Sequence, residues 1–135
     1  MAHAMSHQWA QLNSLNVEIE SRGIRANAGD ATTAEAILVL SQAQIHWQGT
    51  SQPLTVADLH WADDVWVMTQ EHFDFATQLG IELNQDNLPR YHLLAGAHEL
   101  LDPLNCGLGA YEQLFCSLQE LLPKRLAAIQ TPSVA

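Results

Sequence analysis

The chain has 135 residues, enough for one domain with a hydrophobic core, and 47% of its residues are apolar. Five Lys and Arg against fifteen Asp and Glu give a net charge of −10, which argues against a nucleic-acid partner because affinity for phosphates rests on basic groups. No apolar run approaches the roughly 18 residues of a membrane span, and no basic-then-apolar signal pattern opens the chain. We therefore expect a cytoplasmic protein with no membrane partner and two free thiols.

Helices and strands are predicted to alternate along the first half of the chain. Residues 2–14 have the spacing of an amphipathic helix, and the alternating segment NVEIES at 16–21 predicts a short strand. A second helix is predicted over 34–45, capped by Thr32 or Thr33. Thr55 and Asp58 have the spacing of a capping box, which predicts a short helix after Thr55.

The second half continues this alternation. The β-branched and aromatic run DVWVMT at 64–69 predicts a buried strand, Thr69 caps a helix over 70–79, and RYHLL at 90–94 predicts another strand. A loop over 101–109 leads into a long C-terminal helix, and residues 131–135 are expected to form a flexible tail. Such alternation predicts an α/β fold with a parallel sheet and helices on both faces, with functional residues after the carboxyl ends of the strands.

The histidines and cysteines give only weak site signals. His3 and His7 are four residues apart, as in a two-histidine metal site, but the accompanying Glu is missing, so a solvent-exposed helix face is the preferred interpretation. Cys106 and Cys116 have no basic neighbour that would stabilise a thiolate, and Cys116 is expected to be buried in the last helix. We therefore expect no metal and no cofactor.

The segment LLDPLNCGLGAY at 100–111 has the most informative placement. Asp102-Pro103 follows the last predicted strand and precedes the long helix, and Tyr111 comes nine residues after Asp102. On these residues the chain resembles the low-molecular-weight protein-tyrosine-phosphatase family, which also includes arginine phosphatases and arsenate reductases. Segments 17–23, 54–59 and 62–69 are similar to further family segments, so the resemblance extends over residues 1–129.

The resemblance implies a fold and a set of site residues. The implied fold is a three-layer α/β sandwich over residues 1–130, with a short parallel sheet that has four strands in the family and lacks the central first strand here. Asp102 is implied as the general acid and base of a phosphocysteine mechanism. Leu104 and Asn105 stand where tyrosine-specific members carry aromatic residues, so they are expected to contact the substrate without providing an aromatic wall for phosphotyrosine.

The family's nucleophile loop, Cys-x-x-x-x-x-Arg, has no counterpart in this sequence. Met1-Ala2-His3 aligns with the Met-Ala-Glu that follows this loop in the family, and neither cysteine has Arg six residues after it. We therefore expect no phosphatase activity from the chain as it stands. A phosphorylated protein or small phosphate ester is the expected substrate once the loop is supplied. Without the central strand, we expect an aggregation-prone fold or an oligomer completed by a strand from another chain.

Three interpretations remain open at this stage. The preferred one is a phosphatase of this family whose sequence begins late, at an internal methionine. The second is a non-catalytic relative that acts as a partner-binding module. The third is an unrelated acidic α/β domain in which Asp102 only begins a turn.

Overall fold

The computed structural model describes residues 1–81, 89–96 and 98–129. In chain order its helices and strands are α1 (Ala2–Leu12), α2 (Ala34–Gln42), α3 (Val56–Trp61), β1 (Asp64–Val67), α4 (Gln70–Gly80), β2 (Arg90–Leu93) and α5 (Leu108–Ile129). They belong to two compact units. The first comprises Met1–Ser21, Ala31–Thr50 and the segment from Asp102 onward, and the second comprises Arg22–Asp30 and Ser51–Leu101.

The first unit is helical, and α5 packs against both α1 and α2. Its buried side chains recur at helical spacing, because residues three and four apart share one face of a helix. They include Ala4, Met5 and Ala10 on α1, Val39 and Leu40 on α2, and Leu118, Leu122 and Leu126 on α5. The apolar stripes that predicted these helices match the buried faces only in part, since Met5, Leu40, Leu118 and Leu122 are buried while Leu12 and Ile37 are exposed.

The second unit contains the parallel sheet. β1 and β2 pair in parallel, with Asp64 opposite Arg90 and Val67 opposite Leu93, and α4 connects the two strands and contacts both. Leu59 on α3 is fully buried, and Val67, Ala76 and Leu94 are also buried in this unit. A parallel pair requires such a crossover connection, because the chain must return to the end of the sheet where the first strand begins before the second strand can start.

Polar side chains on one face of the sheet join the two strands. The Asp64 carboxylate lies 2.9 Å from Arg90 Nη2 and 2.9 Å from His92 Nε2. Trp66, opposite His92 in the register, stacks on the His92 ring with 4.2 Å between ring centroids. Each cross-strand contact of this kind contributes about 0.2–1 kcal/mol to the pairing.

The predicted helix starts are confirmed at three caps. The Thr33 side chain accepts from Ala36 N, and the Thr69 side chain accepts from His72 N. Thr55 and Asp58 form the capping box at the start of α3, with both reciprocal hydrogen bonds present. The strands at 64–69 and 90–94 are confirmed with shorter bounds, and so is the α/β class with a short parallel sheet.

The predicted strand at 16–21 is wrong. Residues 13–22 belong to no helix or strand, and the sheet in the described part of the chain consists of β1 and β2 alone. The alternation itself survives, since Val17 and Ile19 are half-buried while Glu18 and Glu20 are exposed. An alternating pattern specifies which side chains face the protein, but a strand also needs a neighbouring backbone to complete its hydrogen-bond ladder.

The next observations concern the C-terminal part of the chain. α5 continues as a helix through Pro123 to Ile129. The predicted tail at 131–135 lies outside the described residues. Among the residues whose placement is described, no helix has both the length and the apolar character needed to cross a bilayer.

Candidate functional site

The loop that carries Asp102 is folded by short-range hydrogen bonds. Asp102 Oδ1 accepts a hydrogen bond from Leu104 N at 3.0 Å, and Cys106 N donates to the Pro103 carbonyl oxygen at 3.0 Å. The first contact is typical of an Asx turn, in which the side chain of Asp replaces a backbone acceptor. The second closes a turn whose first residue is Pro103, and the carboxylate is thereby held against the backbone two residues ahead.

Two left-handed residues complete the loop before α5 begins. Asn105 has a φ of 64° and Gly107 has a φ of 88°. Asn tolerates this region better than most residues because its short polar side chain makes local hydrogen bonds, and Gly reaches it without a steric cost. The composition Asp-Pro-Leu-Asn-Cys-Gly thus encodes a tight loop directly ahead of α5.

The three predicted site residues lie together on this loop and are open to solvent. Asp102 and Asn105 are exposed, and Leu104 is 51% exposed. The structure joins Asp102 to Leu104 through a hydrogen bond, and it shows that Asn105 shapes the turn. An exposed carboxylate can exchange a proton with a group in solution, and Leu104 is an exposed apolar side chain two residues further along the same loop.

Tyr111 anchors the first turns of α5 inside the first unit. Its side chain is buried, packs with Ala36 and Val39, and accepts a hydrogen bond from the Thr33 hydroxyl at 3.1 Å. Because Thr33 also caps α2, one hydroxyl serves both the start of α2 and the buried end of the Tyr111 ring. Tyr111 is therefore a packing residue that fixes the helix following the Asp102 loop.

The cysteines differ in part from the sequence expectation. Both are free thiols, and both are exposed. The expectation that Cys116 is buried in α5 is wrong, because the buried stripe of this helix passes through Leu118 and Leu122 on another side. Cys106 lies on the Asp102 loop, where its thiol contacts the Leu104 carbonyl oxygen at 3.5 Å.

Most basic side chains already form ion pairs. The sequence contains five Lys and Arg, and four of them pair with carboxylates: Arg22 with Asp58, Arg25 with Glu71, Arg90 with Asp64, and Lys124 with Glu120. A phosphoryl group arriving at any of these four would compete with a carboxylate. In the described ranges, no group of three or more His, Cys, Asp or Glu side chains is arranged to hold a metal ion.

His3 occupies a different environment from the one expected. His7 is exposed, as a solvent-facing helix position predicts, but His3 is half-buried. Its Nδ1 lies 2.8 Å from Ser21 Oγ, and its ring lies 4.5 Å from that of Trp47. Burial lowers the pKa of His3 below its ordinary value of 6.5. Sequence spacing gave no signal for this cluster, because its members are far apart in the chain.

Comparison with known proteins gives one consistent answer. The family described as low molecular weight phosphotyrosine protein phosphatase matches residues 1–134. A protein-arginine-phosphatase of Bacillus subtilis (strain 168) is 29% identical over 123 residues, which cover 90% of this chain and 82% of that protein. The crystal structure of a YwlE mutant from Bacillus subtilis matches with a TM-score of 0.85 and 27% identity, covering 96% of this chain and 88% of that one. A mutant of the YwlE arginine phosphatase with a phosphorylated active-site serine matches with a TM-score of 0.87 and 27% identity, covering 98% and 88%.

Proposed function

Because the chain belongs to the low molecular weight phosphotyrosine protein phosphatase family, we propose that residues 1–130 form a phosphoprotein phosphatase domain in which Asp102 is the general acid and base. The observation that carries this proposal is the geometry of the Asp102 loop, which holds an exposed carboxylate on the segment that leads into α5. Leu104 and Asn105, on the same loop, are proposed to contact the substrate side chain.

The proposed role of Asp102 is proton transfer at the leaving group. As a neutral carboxyl it gives its proton to the atom that leaves phosphorus while that bond breaks, and as a carboxylate it then takes a proton from the attacking water. The hydrogen bond from Leu104 N holds one carboxylate oxygen in place. Such positioning restricts the side chain to few conformations, which lowers the entropic cost of the proton transfer.

Phosphoarginine in a protein is the substrate that we propose. The Bacillus relative is described as a protein-arginine-phosphatase, and Leu104 and Asn105 provide no aromatic surface on which a phosphotyrosine ring would stack. A guanidine is a poor leaving group without a proton, so its release depends on an acid such as Asp102.

We also propose that the 135-residue chain by itself does not hydrolyse phosphate esters. Neither cysteine is followed by Arg six residues later, and four of the five basic side chains are paired with carboxylates. General acid catalysis alone contributes about 10²–10⁴-fold, which does not replace a nucleophile and an anion-binding loop. Turnover by this chain that is lost in Cys106→Ser or Cys116→Ser would contradict the proposal.

The role of Asp102 is tested in a fusion that places a family Cys-x-x-x-x-x-Arg segment before Met1. Asp102→Asn is expected to lower turnover of a phosphoarginine peptide by about 10²–10⁴-fold and to affect p-nitrophenyl phosphate less, because p-nitrophenolate leaves without a proton. Glu112→Gln, an exposed acid on α5, is the matched control and should leave both rates unchanged. An equal loss on both substrates would show that Asp102 only shapes its loop.

A strand-borrowing oligomer is a further proposal, based on the sheet edges. In the described residues the sheet has two strands, so β1 and β2 each have one edge without a neighbouring strand. Unpaired strand edges are templates for pairing with another chain. Light scattering coupled to size-exclusion chromatography tests this directly, and a monomer that unfolds cooperatively above about 50 °C, in the mesophile range, would exclude it.

A further inference from the structure

A small cluster around His3 joins three segments of the first unit. His3 lies in the first turn of α1, its Nδ1 is 2.8 Å from Ser21 Oγ, and its ring lies 4.5 Å from the Trp47 ring at an angle of 58°. Ser21 lies in the irregular segment between α1 and α2, and Trp47 belongs to the segment after α2. One imidazole therefore contacts two stretches of chain that have no regular secondary structure of their own.

The Trp47 indole is closely confined on a second side. A Cβ at position 49 would lie 2.4 Å from Trp47 Nε1 and 2.5 Å from Cε2, so only Gly49 leaves room for the ring. The indole also lines a cleft of about 170 Å³ together with Ile37 and Ile45. Any movement of Trp47 changes the shape of this apolar cleft.

The charged surroundings of His3 act in opposite directions on its protonation. The main effect is burial, which lowers the pKa of His3 because the charged imidazolium loses water. Glu20 and the backbone of Ile19 raise this pKa, while His7 and the Met1 amino group lower it. The net effect favours the neutral ring in the folded protein, so protonation of His3 destabilises its packing on Trp47.

We propose that His3 and Trp47 form a pH-sensitive contact, which the neutral imidazole holds closed and which protonation opens. The neutral ring packs on the indole with little loss of hydration. The charged ring regains water only by moving outward, which breaks the packing on Trp47 and frees the segment that lines the cleft. An indole face also attracts cations, so the persistence of the ring contact in the protonated protein would show that this attraction outweighs the cost of burial.

The contact is tested by NMR on the full chain, titrated from about pH 8 to about pH 5, the range in which histidine changes charge. We expect the His3 ring to titrate with a midpoint below 6.5. The Nε1 proton of Trp47 should shift with the same midpoint, and the nuclear Overhauser contacts between the two rings should be lost below it. The indole of Trp61, an exposed residue in the second unit, is the internal control. It should not follow the midpoint of His3, and any shift caused by its neighbour His60 should persist in His3→Gln.

Two variants distinguish a pH response of the His3–Trp47 contact from unspecific effects of low pH on the protein. His3→Gln removes the titrating group and should abolish the acid transition of Trp47. His3→Phe keeps an aromatic ring beside the indole, so Trp47 should stay in its closed position over the whole pH range. If ring contacts persist below the His3 midpoint, or if Trp47 shifts equally in His3→Phe, the proposal is wrong.

Discussion

The Tyr91 hydroxyl on β2 lies where a side chain at position 80 would begin. A Cβ on Gly80, the last residue of α4, would be 2.4 Å from Tyr91 Oη, while the next nearest atom would be 3.6 Å away. Gly80 is therefore explained by the close approach of one oxygen atom, and its backbone is not among those with positive φ. The pair fixes how closely the end of α4 lies over the middle of β2.

Replacing Gly80 by Ala is expected to destabilise the protein by about 1–3 kcal/mol, as overpacking in a filled core does. In a Tyr91→Phe background the same substitution should cost little or become stabilising, because the clashing oxygen is gone and Ala is the better helix residue. Urea unfolding of the wild type, both single variants and the double variant measures the coupling. A cost for Gly80→Ala that is the same in both backgrounds would show that Tyr91 is not its cause.

Tyr91→Phe alone is expected to stabilise the protein by about 1 kcal/mol. The Tyr91 hydroxyl is buried and has no hydrogen-bond partner among the residues that the structure describes, and an unsatisfied buried polar group costs about 1–3 kcal/mol. Tyr111→Phe is the matched control, since the Tyr111 hydroxyl accepts a hydrogen bond from Thr33. The two substitutions should change the urea midpoint in opposite directions, and equal signs would refute the interpretation.

Alkaline pH is expected to lower the free energy of unfolding because of Tyr91. Burial raises the pKa of Tyr91 above its ordinary value of 10.0, so above that pH the unfolded chain loses its phenolic proton while the folded protein retains it. The folded state then binds more protons, and the free energy of unfolding falls as pH rises. Urea midpoints at about pH 8 and about pH 10.5 should differ more for the wild type than for Tyr91→Phe. Identical differences would show that Tyr91 does not contribute.

Thr33 is expected to matter more than an ordinary helix cap. Thr33→Val removes both the cap of α2 and the hydrogen bond to Tyr111 and should cost about 1–2 kcal/mol. Thr33→Ser retains the hydroxyl and should cost much less. In Tyr111→Phe the cost of Thr33→Val should shrink, because only the cap remains to be lost. Thermal unfolding of the wild type, Thr33→Val, Thr33→Ser, Tyr111→Phe and the Thr33→Val/Tyr111→Phe double variant measures this. Full additivity of Thr33→Val and Tyr111→Phe would exclude the shared role.

Local signals in the sequence were sufficient for much of the fold. Helix starts were predictable because a cap is a contact over three residues, as Thr55 and Asp58 show. The Asp102 loop was predictable for the same reason, since the chain from Asp102 to Gly107 holds its own turns. Both features depend on contacts between residues that are close in sequence, so the local sequence is sufficient to predict them.

Contacts between residues that are far apart in the chain could not be predicted from the sequence. Residues 16–21 have the alternation of a strand, but whether a strand forms depends on a partner that alternation does not specify. The sequence pattern predicted that His3 is exposed, whereas in the structure its ring contacts Trp47, which is 44 positions further along the chain. Cys116 was expected in the core because it is a small apolar residue, but it lies outside the buried face of α5.

The polar face shared by β1 and β2 has a consequence for how the two strands find their alignment. Each strand has only four residues, and an apolar run such as Val65 and Val67 pairs almost equally well after a slip of two positions. Such a slip would separate the Asp64 carboxylate from the Arg90 guanidinium or move Trp66 away from the His92 ring. Since α4 intervenes and no tight turn dictates the pairing, these side chains distinguish the correct alignment from the shifted ones while the chain folds.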